Sequence, residues 1–157
     1  MENIQEWIWY YNTEIGRIGI VANETAVTQI TLGDHVSPGQ KVEETSLIKD
    51  VAAQLREYLA GNRKVFNFPL APRGTDFQKS VWTALEHIPY GETRSYKEIA
   101  QAIGNPKACR AVGMANNKNP ILIVIPCHRV IGSDGGLVGY GAGIDIKEKL
   151  LRLEGVK

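Results

Sequence analysis

Ala71-Pro-Arg-Gly-Thr-Asp-Phe-Gln78 divides this chain of 157 residues into a part that reads as strands and a part that reads as helices. Pro72 and Gly74 give the segment the composition of a linker. Thr75, followed three positions later by Gln78, has the capping-box pattern that opens a helix. The expected organisation is therefore an N-terminal domain over residues 1–71 and a second domain over 72–157.

Upstream of the divide, EWIWYY from Glu6, RIGIVAN from Arg17 and AVTQITL from Ala26 are short β-rich runs separated by TEIG and NET, and they predict a hairpin sheet. Leu47, Ile48, Val51, Leu55, Tyr58 and Leu59 recur at helical spacing, with Ser46 as the expected N-cap and Gly61 as the C-cap. This helix should cover one face of the sheet. A last short strand, VFNFPL from Val65, precedes the linker.

Downstream, Phe77, Val81, Leu85 and Ile88 line one face of the helix that Thr75 opens. Ser95 and Glu98 repeat the capping box, and Ile99 and Ile103 follow before Gly104. Gly104-Asn-Pro106 is a sharp turn, after which Lys107 to Asn116 can form a further helix. Helix, tight turn and helix make the outline of a helix-turn-helix, which also occurs in proteins that never touch DNA. The second helix crowds small residues around Arg110, a composition that permits close approach to a grooved partner. The fold class expected is α+β: a small antiparallel sheet with a helix, then a mainly helical domain containing the helix-turn-helix.

Bulk properties narrow the function classes. Residues 1–71 carry 6 Lys and Arg against 9 Asp and Glu, whereas 72–157 carry 12 against 8, so a net charge of +1 conceals a basic second half. Such a bias fits a polyanionic partner. No apolar stretch is long enough to span a bilayer, and the start lacks the pattern of a signal peptide, so a cytoplasmic protein is expected. Cys109 and Cys127 are too few for a disulfide framework, and scattered His35, His87 and His128 offer no zinc-ligand spacing.

Pro120 to Ile125 is an unbroken apolar run, read as a buried strand, that delivers Pro126-Cys-His-Arg-Val130. A cysteine beside a histidine in a basic neighbourhood has what a nucleophilic thiolate needs, because positive or hydrogen-bonding neighbours favour the anion. The Cys-His dipeptide alone is equally compatible with a structural, buried thiol.

PCHRV at 126–130, Ser95-Tyr96, GNPKA with Arg110 and AVG between Gly104 and Gly113, Asn119-Pro120, and Glu154-Gly155 closing the last helix together resemble the O6-alkylguanine-DNA alkyltransferases, in order and at matching intervals. The likeness spans the last half of the chain. It implies direct, irreversible, single-turnover repair, in which an alkyl group passes from O6-alkylguanine, and O4-alkylthymine, in double-stranded DNA to Cys127. It also implies a monomer that needs no cofactor or metal.

Residue by residue, Cys127 corresponds to the acceptor, His128 to the base that takes the thiol proton through a water, and Glu154 to the carboxylate that orients His128. Independently, Glu154 falls on the helical face of Leu150 and Leu151 and so should point inward. Asn119 corresponds to the residue that pins the loop from Gly132 to Gly143, which closes the guanine pocket. Arg110 corresponds to the side chain that replaces the flipped nucleotide, and Tyr96 to the one that pushes the target phosphate and then donates to the guanine ring; flipping is needed because a buried thiol cannot reach a stacked base. The resemblance also implies that the second helix reads the minor groove, and Lys97, Asn105, Ser133 and Gln78 match phosphate-contacting positions. Val130, Tyr140 and Gly141 correspond to the base pocket, and the small residues from Gly139 to Gly143 suggest a roomy one. Cys109 and Met114 depart from the family pattern. Two other readings stay open here: a non-catalytic alkylguanine-binding protein, which would carry another residue at Cys127, and a cysteine hydrolase, which would turn over repeatedly.

Overall fold

The computed structural model describes residues 4–33, 36–133, 135–136 and 143–156. The chain divides into two compact units, Met1–Arg73 and Gly74–Lys157.

In the first unit, β1 (Glu6–Thr13), β2 (Gly16–Ala22) and β3 (Val27–Leu32) form an antiparallel meander. A fourth strand, β4 (Gln40–Val42), pairs parallel with β1 and gives the order β3-β2-β1-β4. The sheet is thus mixed rather than wholly antiparallel. The returning segment places Gln40 opposite Glu6, where the Gln40 amide donates to the Glu6 carboxylate at 3.3 Å. Glu6 is buried and also accepts from Thr28 Oγ1 at 2.7 Å and pairs with Arg73, so its charge is compensated rather than stranded.

Helix α1 (Ser46–Leu59) packs Ile48, Val51, Leu55 and Tyr58 into this core at the 3.6-residue period. Its N-cap is Thr45, not Ser46: Thr45 has the extended backbone that a cap requires, and its hydroxyl accepts from Ile48 N at 3.2 Å. Gly61, at φ 82°, reverses the chain just after the cap residue Ala60, with its N–H donated to Tyr58 O. The expected strand over Val65 to Leu70 is not formed. Asn67 N donates to Oε1 of the buried Gln54 amide at 2.8 Å, Asn67 O accepts from Gln54 Nε2 at 3.3 Å, and Leu70 makes an isolated bridge to Val27.

The second unit is built on α2 (Asp76–Glu86), α3 (Tyr96–Ala102) and α4 (Cys109–Asn117), which pack on one another, and α5 (Ile144–Leu153). Both expected capping boxes are present, Thr75 with Gln78 and Ser95 with Glu98. Gly74 fits only as glycine, since a Cβ there would lie 2.5 Å from the Trp82 ring. Val81, Trp82 and Leu85 fill the core, and Trp82 Nε1 donates to Ala115 O at 2.9 Å, locking α2 against α4. The inner side of α4 carries Val112, Ala115 and Asn116. Its outer face carries exposed Arg110, Ala111, Met114 and Asn117. No helix among the described residues is long and apolar enough to cross a membrane.

Candidate active site

The apolar run ahead of Cys127 is buried, with Ile121, Ile123 and Ile125 each at most 2% exposed, but it is a series of turns and not a strand. Short-range bonds from Val124 N to Leu122 O and from Ile125 N to Ile121 O replace a ladder, and Ile123 adopts φ 73°. A β-branched residue in the left-handed region is strained and must be held by its surroundings. Asn119 does the holding. Its Oδ1 accepts from Ile121 N at 2.9 Å, and its Nδ2 donates to Ile125 O at 2.6 Å, spanning the turn.

The same Nδ2 lies 3.1 Å from Cys127 Sγ, so the group that shapes the turn also gives the sulfur a donor. Cys127 is 1% exposed and opens a short 3-10 turn, Cys127–Arg129, whose three residues are all buried. Its carbonyl faces Asn116 Nδ2 at 3.5 Å. The turn runs into β6 (Val130–Ile131), which pairs parallel with β5 (Arg94–Ser95). This pairing brings Tyr96, the residue after β5, beside the cysteine turn. Burial first, and the negative charge of Cys127 second, raise the Tyr96 hydroxyl above its ordinary pKa. Val130 is fully buried.

His128 Nε2 is 2.7 Å from Glu154 Oε2, with both side chains inaccessible. The carboxylate accepts from Nε2, which places the ring's proton there and leaves Nδ1 its lone pair. Burial pushes the His128 pKa down, and the Arg129 and Lys147 charges push the same way, against the opposing pull of Glu154. The imidazole is accordingly neutral.

Glu154 is the C-cap of α5, whose inner face carries Leu150 and Leu151. Arg129 grips it with two bonds, Nε to Oε1 at 2.8 Å and Nη2 to Oε2 at 3.0 Å. A third arm, Nη1, donates to Ile88 O at 2.7 Å, and Gly91 N donates to Glu154 Oε1 at 3.1 Å. A forked guanidinium matches a carboxylate in this geometry as no other side chain does. Gly91 sits at φ 81° with a would-be Cβ 3.3 Å from the Glu154 backbone O, so any other residue there would be strained and tight against the end of α5.

Cys127, His128, Glu154, Asn119, Tyr96 and Val130 are thus gathered in one place. Arg110, Lys97, Asn105 and Ser133 are exposed. Gln78 commits its side-chain oxygen to Thr75 N at 2.9 Å in the capping box, which leaves only its amide nitrogen for another partner. Tyr140, Gly141 and the rest of the small-residue run up to position 142 lie outside the described residues, as does His35. Reading the sequence missed Arg129, Lys147, Asn116 and Gly91. Arg129 was within reach, since an arginine directly after the Cys-His pair must either be exposed or find a carboxylate. Among the described residues no cluster of His, Cys, Asp or Glu is placed to hold a metal ion.

Fold and site define an α+β protein whose helical second unit encloses a cysteine beside a histidine–glutamate–arginine array. The chain belongs to the 6-O-methylguanine DNA methyltransferase family: the family's DNA binding domain matches residues 76–156 and its ribonuclease-like domain residues 8–72. A methylated-DNA–protein-cysteine methyltransferase of Methanosarcina acetivorans is 61% identical over 118 residues, 75% of this chain and 76% of that one. The constitutive enzyme of that name from Bacillus subtilis is 46% identical over 156 residues, 92% of this chain and 94% of the other. The crystal structure of Mycobacterium tuberculosis OGT in complex with DNA superposes with a TM-score of 0.89 at 44% identity, covering 94% of this chain and 92% of its own.

Proposed function

We propose that this protein repairs DNA by moving the alkyl group of O6-alkylguanine, and of O4-alkylthymine, onto Cys127, once per molecule. The observation that carries this reading is the Cys127 sulfur held 3.1 Å from Asn119 Nδ2 at the head of a turn whose next residue forms the buried 2.7 Å pair with Glu154. His128 Nδ1 takes the thiol proton through a water, and Glu154 steadies the imidazolium that results. The thiolate attacks the alkyl carbon in line. The new S–C bond forms as the C–O6 bond breaks, and guanine leaves with its charge neutralised by a proton from the nearby Tyr96 hydroxyl, which is replaced by the proton that the thiol gave up. A thioether has no easy route back, so the protein is consumed.

The relatives' names and the DNA complex of the Mycobacterium tuberculosis protein support DNA as the partner. In this reading α3 and α4 act as a helix-turn-helix, and α4 enters the minor groove. Its outer face of Arg110, Ala111 and Met114 suits that approach, and Arg110 fills the gap left by the flipped nucleotide. Lys97, Asn105, Ser133 and the Gln78 amide contact phosphates. Every group of the acid–base array comes from one chain, so a monomer suffices, and two free thiols fit a reducing cytoplasm.

Incubation with a duplex containing O6-methylguanine, followed by peptide mass spectrometry, should find one added methyl on the Cys127 peptide. Cys127→Ser should bind the duplex and gain nothing, since an alcohol is scarcely ionised near neutrality. Label on Cys109 in place of Cys127 would overturn the assignment.

A further inference from the structure

Lys147 is fully buried on the inner side of α5, where a lysine is among the costliest residues to place. Nothing in the transfer chemistry described above uses it. We propose that Lys147 is a positioning residue of the reaction: its ammonium, enclosed with Cys127 under α5, holds the sulfur as the attacking anion. The inference rests on the reading of Cys127 as acceptor.

Two observations place Lys147 there. Helix α5 packs on the Cys127–Arg129 turn. The lysine lies within electrostatic reach of both residues that move the proton: the Cys127 anion favours its charged form, and its own charge disfavours a charged His128. Burial, acting against the Cys127 anion, brings the ammonium down to about 8, so it is still charged at neutral pH.

Charge counting gives the direction of the effect. The charged side chains buried in this unit, among the described residues, are Arg129, Lys147 and Glu154. Arg129 and Glu154 offset each other through their two bonds, and His128 is neutral. A thiolate at Cys127 sets a negative charge within reach of the Lys147 ammonium, and each favours the charged form of the other. Tyr96 also faces the sulfur but is uncharged near neutrality, and the other ionisable residues of α5, Asp145, Glu148, Lys149 and Arg152, are not buried. An opposite charge at close range favours ionisation by about 1 to 3 pH units. With the thiol proton handed to His128, the same ammonium also disfavours an imidazolium, so the proton is pressed onward toward solvent or the departing guanine.

The test uses the full chain in a Cys109→Ser background, so that Cys127 is the thiol observed. Thiolate absorbance near the ultraviolet edge is titrated, and the transfer rate from an O6-methylguanine duplex is measured across pH, in the parent, Lys147→Met and Lys147→Arg. Lys147→Met keeps the length of the side chain and removes its charge. The expected result is a Cys127 midpoint about one pH unit higher in Lys147→Met, a transfer rate about tenfold lower at pH 7, and recovery toward the parent in Lys147→Arg. Coincident midpoints in the parent and Lys147→Met, with both folded by circular dichroism, overturn the proposal. Should Lys147→Met not fold, Lys147→Gln is read by the same two criteria. A parent that transfers no methyl to Cys127 at any pH would defeat the underlying assignment instead, and is recognised without any Lys147 variant.

Discussion

At the scale of the residue, the site is a problem in keeping charges where they are useful. Glu154 is inaccessible, yet both its oxygens are bonded by Arg129 and one by His128, so its polar atoms are satisfied without an ionised imidazole. A pH signature follows. His128 has a folded pKa below its ordinary 6.5. Between those two values the unfolded chain binds a proton that the folded chain refuses, so stability is lost as pH falls below about 6.5, by up to about 1.4 kcal/mol per pH unit. His128→Gln should flatten the fall in urea midpoint between about pH 7.5 and 5, and an unchanged slope would mean that another group controls it. Cys127, His128 and Glu154 were legible because their order and spacing carry the family resemblance, and the inward phase of Glu154 is helical arithmetic. Arg129 and Lys147 were not. Whether a cation is buried depends on what other segments bring to it, and a sequence read by itself assigns lysine and arginine to the surface by default.

At the scale of the element, the local signals carried best. Both capping boxes are present because they are contracts among four consecutive residues, each worth about 1 kcal/mol, that need nothing from elsewhere. The three strands of the meander follow from alternation and turn residues. What failed was non-local: β4 joins β1 across 34 residues, β5 meets β6 across a comparable interval, and the run before Cys127 is coiled rather than extended. A short apolar run reports burial and leaves its backbone undecided; Asn119, which selects the turn, does so through side-chain bonds that no periodicity reveals. For α4 the outer face gives its own prediction. Arg110 is exposed, so Arg110→Ala should leave the fold intact while slowing transfer from duplex DNA much more than transfer from the free modified base, because an unfilled gap in the stack costs a few kcal/mol. Equal slowing on both substrates would make Arg110 a structural residue.

At the scale of the whole molecule, reaction and stability are coupled. Alkylation adds at least a methyl to a sulfur that is 1% exposed, and overfilling a packed site typically costs about 1 to 3 kcal/mol. It also abolishes the anion, so the 3.1 Å contact from Asn119 weakens and Lys147 loses its nearby negative charge. The spent protein should melt several degrees below the unreacted one, at about 2 to 4 °C per kcal/mol for a chain of this size, and be cleaved faster by protease. Equal melting temperatures at full modification would show that the cavity has slack. The third arm of Arg129 bears on how such a molecule would look to genetics. In a library of variants scored for survival under an alkylating agent, Arg129 and Glu154 can be mutated away, but the Ile88 oxygen that receives Nη1 cannot, because no codon deletes a carbonyl. Position 88 would then report only the packing of its buried side chain. A map of intolerant positions would omit one of the contacts that hold the carboxylate in place.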